Sequence, residues 1–373
     1  MKIIQIIDTL NIGGAEKMCI QLANLLFEKG HDVSILYFHK TNFSLLDQVN
    51  KNIPIHFIGI KENWFNPLYF YKVLRLIQQY DIIHVHMRSS LRIVYLATIF
   101  GNAYKKVVFH DHTGGTAQFE SSSKRFLISN SIRKFKYVAV CNDLCKKAIN
   151  RFNLNIRNTD VISNFVPQPS NPSIRAVEFD KNNLEFLVVG NFRKEKNQKF
   201  IIPLCLELKK QNFNNFRFNL LGSIQSNGYF DDFIEDIYRN NLKEHIRIYD
   251  NFKSVFDFNE KVNFAIMPSI EESGPLVLIE YLLLNLPFLA FNVGDITKKI
   301  GQYLPDQIMN NLNESLWVER ILNTNFENSE RVFRNIYDFE FSCEIAYKNW
   351  VNVYEKLLFK QYCPVVIKRE SIG

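Results

Sequence analysis

The chain has 373 residues, of which 47% are hydrophobic and 22% charged, with a formal net charge of +7. At roughly 100–200 residues per domain this length predicts two domains, and the composition excludes a disordered, collagen-like or coiled-coil chain. No apolar run approaches the ~18 residues of a membrane span, and the first residues show no secretory leader pattern, so the chain is expected in the cytoplasm.

Apolar runs alternate with helical periodicity from the start. Strands are predicted over 3–7, 32–37, 55–58, 82–85, 106–110, 137–140 and 161–162, with helices over 15–29, 68–79 and 91–100. Nearly continuous Val/Ile/Leu strands separated by helices imply parallel strands covered on both faces. Residues 1–165 thus read as a first Rossmann-like domain. Pro167, Pro169 and Pro172 break the pattern, and 166–183 reads as a linker. The alternation resumes with strands over 186–190, 216–221, 246–249, 264–267 and 288–291, and helices over 198–210, 230–239 and 276–284. Residues 184–338 form a second domain of the same α/β type. A helical stretch over roughly 339–359 opens a C-terminal segment, 339–373. Ligands on such sheets bind beyond the carboxyl ends of strands, and pockets favour domain interfaces. The functional cleft is expected between the halves.

Four segments carry chemistry. The first, Ile7-Asp8-Thr9-Leu10-Asn11-Ile12-Gly13-Gly14-Ala15-Glu16, is a strand, a glycine turn and a helix start. Such a turn lets a ligand approach the backbone, and a helix start offers free N–H groups to an anion. Adjacent glycines are not the dinucleotide fingerprint, and the second strand ends in Phe38-His39-Lys40 with no acid for a ribose, which disfavours a nicotinamide enzyme. The second is two His-x-His pairs, His84/His86 and His110/His112, each on one face of a strand end. No third ligand follows at zinc spacing, so no metal is expected; hydrogen-bonding work in the cleft competes with histidines satisfied by backbone.

The third segment runs from Gly190 through Asn191, Arg193 and Lys196. Its cations suit a diphosphate, with arginine as a fork and lysine as a point charge; as a bare charge run it would be solvent surface. The fourth, Pro268 to Glu280, holds Glu272 in a loop that ends at Gly274-Pro275 and Glu280 on the helix that follows. Pro275 is expected in the first helical turn. Two carboxylates bracketing a helix start can hold sugar hydroxyls while the helix start receives phosphate.

The last two segments resemble those of retaining glycosyltransferases of family 4, which have the two-Rossmann GT-B fold. The resemblance runs from Gly13-Gly14-Ala15-Glu16 to the C-terminal helix, and its most specific pieces are Glu272-x7-Glu280 and Lys196. It implies a first domain that binds the acceptor, a second that binds a nucleotide sugar, and a C-terminal helix that crosses back to the first. Glu272 would contact the donor sugar's hydroxyls, Glu280 the ribose, and Lys196 the diphosphate with help from Arg193. Gly222 fits the family's glycine loop, and Asn191 stands where the family often has arginine. Gly274 and Leu276 would give backbone donors, because Pro275 has no N–H. Gly13 and Gly14 would line the acceptor side near the phosphates. His112 fits the family's histidine beside the reacting sugar best and His110 second, with His86 on the same side. No cofactor is implied beyond a donor substrate, a UDP- or GDP-sugar, transferred without metal to a hydroxyl of a lipid-linked glycan in envelope polysaccharide biosynthesis. The alternatives are a sugar-nucleotide 2-epimerase of the same architecture and a non-catalytic partner subunit.

Residues 121–151 hold eight basic side chains (Lys124, Arg125, Arg133, Lys134, Lys136, Lys146, Lys147 and Arg151) and one acid, Asp143. Beside Phe126, Leu127, Ile128, Ile132 and Phe135 they form either a face for the anionic inner surface of the cell membrane or a solvated helix with a buried apolar side. No nucleic-acid-binding signature accompanies the charge. The six scattered cysteines read as reduced thiols. Arg88–Ser90 and Gly114–Phe119 are expected to be specificity loops.

Overall fold

A computed structural model describes residues 1–40, 45–60, 66–99, 102–112, 122–169, 182–224, 228–250, 252, 254–323 and 329–362. The first half runs β1 (Lys2–Ile7), α1 (Gly14–Glu28), β2 (Asp32–Tyr37), β3 (Ile55–Phe57), α2 (Pro67–Ile77), β4 (Ile82–His86), α3 (Arg88–Thr98), β5 (Val107–Asp111), α4 (Ser122–Lys134), β6 (Lys136–Ala139), α5 (Asn142–Phe152) and β7 (Thr159–Val161). The second runs β8 (Leu184–Val189), α6 (Ile201–Lys210), β9 (Phe216–Leu221), α7 (Tyr229–Arg239), β10 (Ile246–Tyr249), β11 (Phe264–Met267), α8 (Leu276–Leu283), β12 (Phe288–Phe291), α9 (Gly294–Gly301), β13 (Ile308–Met309), α10 (Glu314–Asn323), α11 (Ser329–Glu340) and α12 (Cys343–Tyr362).

Both sheets are wholly parallel. The first has the order β3-β2-β1-β4-β5-β6-β7 and the second β10-β9-β8-β11-β12-β13. Each winds outward in both directions from its first strand, so each has a switch point, at β1/β4 and at β8/β11, where connecting segments diverge and leave a crevice. The central strands β1, β4 and β5 are buried on both faces, as their unbroken apolar runs require. Local signals set the helix ends. Asn66 accepts from the Leu68 N–H and Pro67 opens α2; Asn153, left-handed at φ 50°, closes α5.

One apolar core is continuous between the halves. It joins α1 and β1 to α8, α11 and α12. The C-terminal stretch is two helices rather than one, with α11 ending at Glu340 and α12 starting at Cys343. Ser342 explains the break, since its Oγ caps the new helix at the Ile345 N–H, 3.5 Å away. α12 crosses back to the first sheet, where Trp350 and Tyr354 are buried against His84.

Three sequence expectations change here. Arg88–Ser90 is the first turn of α3, not a loop, and Gly114–Phe119 lies outside the described residues. In the basic segment, Ile128, Ile132 and Phe135 belong to the core, and Lys136 is buried in an ion pair with Asp160 at 2.6 Å. What faces solvent is Phe126, 68% exposed, with Arg133, Lys134, Lys146, Lys147 and Arg151; the side chains of Lys124 and Arg125 lie outside the described set. Among the described residues the cysteines are unbridged.

Candidate functional site

The two switch points face each other across a cavity of about 510 Å³. From the first half it is lined by Gly13, Gly14, Glu16 and Lys17 after β1, Met87 after β4, and His112 after β5. From the second half come Gly190, Asn191, Arg193 and Lys196 after β8, and Glu272, Gly274, Leu276 and Glu280 after β11. Residues separated by most of the chain meet here because parallel strands present all their carboxyl ends to one edge.

The charged groups are paired. Lys196 Nζ lies 2.5 Å from Glu272 Oε1, with both side chains mostly buried. Lys17 Nζ reaches across the cleft to Glu280 Oε1 at 3.5 Å. Glu16 folds over Gly13 so closely that a Cβ there would meet its Oε2 at 2.2 Å. Burial pushes the Glu16 carboxyl up, against the smaller lowering effects of its own backbone N–H, the Thr9 hydroxyl and, least of all, Arg193 of the second domain. The first three N–H groups of α8 have no carbonyl within the helix. Pro275 stands just before α8 as its cap rather than in its first turn, so its missing N–H removes no helical donor.

Two predicted residues tie together the loops after β8 and β9. Gly222 does not line it: a Cβ at this position would meet the Gly190 carbonyl oxygen at 2.0 Å, so only glycine lets the loops after β8 and β9 close together. Asn191 lines the cavity, and its Oδ1 accepts from the Ser223 N–H at 3.1 Å, tying the same two loops.

The histidines divide. His112, one residue past β5, lines the cavity. His84, His86 and His110 are fully buried and do not, which corrects the acceptor-side placement of His86 and His110. Alternation put each pair on one face of its strand and the register of β4 with β5, His86 opposite His110, puts both pairs on the same face, but α12 covers that face up to the strand end: Trp350 lies 4.5 Å from the His84 ring and 4.6 Å from that of His110. Burial drives these imidazoles well below their usual range, and His112 down to about 4. Ligand atoms of His84, His86 and His110 lie within 4.8 Å of one another. Yet the His84 and His86 rings are parallel within 3° at 4.4 Å, so an ion in the plane of one ring would lie far out of the plane of the other. This arrangement does not fit a shared metal.

Several lining residues carried no sequence signal of their own. Lys17 is a single lysine in a helical run. Asn164 donates to the Gly274 carbonyl oxygen at 2.7 Å, and Ser273 Oγ to that of His112 at 2.7 Å, so both fasten one half to the other. Met87 has φ 67° and ψ 147°, a conformation almost confined to glycine, between β4 and α3.

Residues 12–168 match the family described as Glycosyltransferase Family 4, and residues 170–311 match Glycosyl transferases group 1. The chain is 24% identical over 321 residues to the capsular polysaccharide biosynthesis glycosyltransferase CapH of Staphylococcus aureus, covering 82% of this chain and 85% of that one. Its fold is similar to that of Anabaena HepE, crystallised with UDP and glucose, at a TM-score of 0.77 and 17% identity over 95% of this chain and all of that one. It is similar too to a glycosyltransferase from Rickettsia africae, at 0.75 and 20% identity over 96% of this chain and 98% of that one. With one glycosyltransferase family matched by each sheet and the cleft between them, the chain belongs to the two-domain GT-B glycosyltransferases, Glycosyltransferase Family 4 in its first half and Glycosyl transferases group 1 in its second.

Proposed function

We propose that the protein is a retaining glycosyltransferase that moves a hexosyl group from a nucleoside-diphosphate sugar, UDP- or GDP-linked, to a hydroxyl of a lipid-linked glycan in envelope polysaccharide biosynthesis. The observation that carries this reading is the convergence of Arg193, Lys196, Glu272, Glu280 and the start of α8 on one interdomain cavity. CapH is named for capsular polysaccharide biosynthesis, and HepE binds UDP and glucose, which favours the same class of substrates here.

As the glycosidic bond stretches, negative charge grows on the departing diphosphate. Lys196, Arg193 and the α8 N–H groups stabilise that charge, and they do so more strongly in a cleft from which water is excluded. Cations and backbone donors supply the counter-charge, so the reaction needs no metal. Glu272 keeps Lys196 aligned through their ion pair, and its other lone pairs accept from the sugar's hydroxyls. Glu280 accepts from the ribose. The acceptor hydroxyl enters from the Gly13–Gly14 side, on the face from which the diphosphate leaves, which retains the anomeric configuration. Exposed Phe126 and the cations on α4 and α5 would seat the first domain on anionic lipid.

The test is a panel of nucleotide sugars scored by nucleoside diphosphate release, with and without lipid-linked oligosaccharide. Release that depends on the oligosaccharide, with product of unchanged anomeric configuration, is expected. Conversion of a nucleotide sugar to its epimer without acceptor would overturn the reading. Sedimentation with anionic vesicles at graded salt tests the membrane face; no binding at low salt would count against it.

A further inference from the structure

Gln5 and His86 touch no part of the cavity, yet they hold the ring that does. Gln5 is a fully buried amide in the middle of the apolar strand β1. Its Oε1 lies 2.8 Å from His86 Nε2. An amide oxygen only accepts, so His86 carries its hydrogen on Nε2. His86 Nδ1 lies 2.9 Å from His112 Nε2. A neutral His86 has a bare Nδ1, which can only accept, so His112 donates from Nε2. A neutral His112 then bears its lone pair on Nδ1. That atom makes no hydrogen bond among the described residues, and His112 lines the cavity.

We propose that Gln5 and His86 are positioning residues that fix the tautomer of His112, so that its Nδ1 faces the cleft as an uncharged acceptor for one sugar hydroxyl. The inference rests on the proposed transfer reaction for the identity of the ligand, but not for the tautomer.

The surroundings keep the relay neutral. Facing it are His84 from β4, His110 and Asp111 from β5, Arg88 from the start of α3 and Tyr354 from α12. Burial disfavours the charged form of all four imidazoles. Asp111, the one carboxylate beside them among the described residues, is already engaged by Arg88 Nη2 and the Tyr137 hydroxyl, each at 3.1 Å. An uncharged acceptor does not compete with Lys196 and Arg193 for the diphosphate. It selects a sugar that has a hydroxyl to donate, because a buried acceptor left unpaired is costly.

The test compares two substitutions at one buried position in the full chain. Glutamine at 86 keeps an acceptor for the His112 Nε2–H, and leucine does not. In the wild type, ¹⁵N-edited imidazole spectra are expected to show His112 as the Nε2–H form alone. His86→Gln should keep that form, while His86→Leu should give a mixture and lower kcat about tenfold with little change in donor KM. Gln5→Leu reads the same relay one step further back and serves if His86→Leu does not fold. A wild-type His112 protonated on Nδ1, or a single Nε2–H form that persists in His86→Leu or Gln5→Leu, overturns the proposal. If no nucleotide sugar is turned over, the transfer reading fails while the spectra still decide the relay.

Discussion

Ser273 Oγ donates to the carbonyl oxygen of His112 at 2.7 Å. The loop that carries Glu272 is thereby fastened to the strand end that carries the cleft histidine. Asn164 repeats the device one residue on, at Gly274. The apolar core shared by the two halves sets their relation broadly, and these bonds fix it at the point where it matters for the chemistry. Lys17–Glu280 adds a charged tie nearby.

Lys196→Ala is expected to lower turnover by about 10²–10³, the usual cost of removing a group that stabilises the departing charge, and Glu272→Ala by a similar factor, because it frees Lys196 from its alignment and leaves the sugar's hydroxyls without their acceptor. The fold should survive, because both side chains stand on the cavity wall and belong to none of the apolar cores. Nucleoside diphosphate release beside thermal melts checks both halves; wild-type turnover in either variant would remove the pair from the mechanism.

Lys17→Met should act in the opposite proportion. It leaves the Glu280 carboxylate buried without its cation, which costs about 2 kcal/mol, and it breaks a tie between the domains. A lower melting temperature is expected, with nucleoside diphosphate giving a larger protective shift than in the wild type, since ribose hydroxyls would satisfy Glu280. Equal shifts in both proteins would show that Glu280 does not meet the nucleotide.

At Gly222 a single methyl group is enough. Alanine there would put its Cβ 2.0 Å from the Gly190 carbonyl oxygen, and backbone must move. The loss is expected at about 1–3 kcal/mol, with weaker donor binding because Asn191 and Lys196 ride on the displaced loop. Melting and nucleotide titration measure the two effects.

Acid should unfold the protein by way of its histidines. The native pKa values of His84, His86, His110 and His112 lie below the unfolded value of about 6.5 because burial disfavours the imidazolium, and His112 falls to about 4. As pH drops through 6.5 toward 4, the unfolded chain therefore binds more protons, and the free energy of unfolding falls. Neither nitrogen of His110 has a hydrogen-bond partner among the described residues. His110→Phe is expected to raise the melting temperature and flatten its decline between pH 6.5 and 4. An unchanged slope would show that His110 is not among the titrating groups.

Much of the site was legible because it follows from strand ends. A Val/Ile/Leu run followed by glycine, cations or acids and then a helix predicts a parallel strand with its functional loop. Gly13, Gly14, Arg193, Lys196, Glu272 and Glu280 all follow strands in this way and all reach one cavity. The sequence by itself determined two parallel α/β halves and the residues at their carboxyl edges, since burial on both faces and period-two alternation are local properties. Only the tertiary structure decided which of four histidines meets the cleft. Alternation places each pair on one face of its strand, but the register that joins the pairs is tertiary, and whether a face is floor or opening depends on what lies over it; α12 comes from the far end of the chain. Trp350 and Tyr354 cover His84 and His110, while His112, one residue past β5, lies at the edge of that cover and opens on the cavity. Lys17 and Ser273 likewise became site residues only once the two sheets were set face to face.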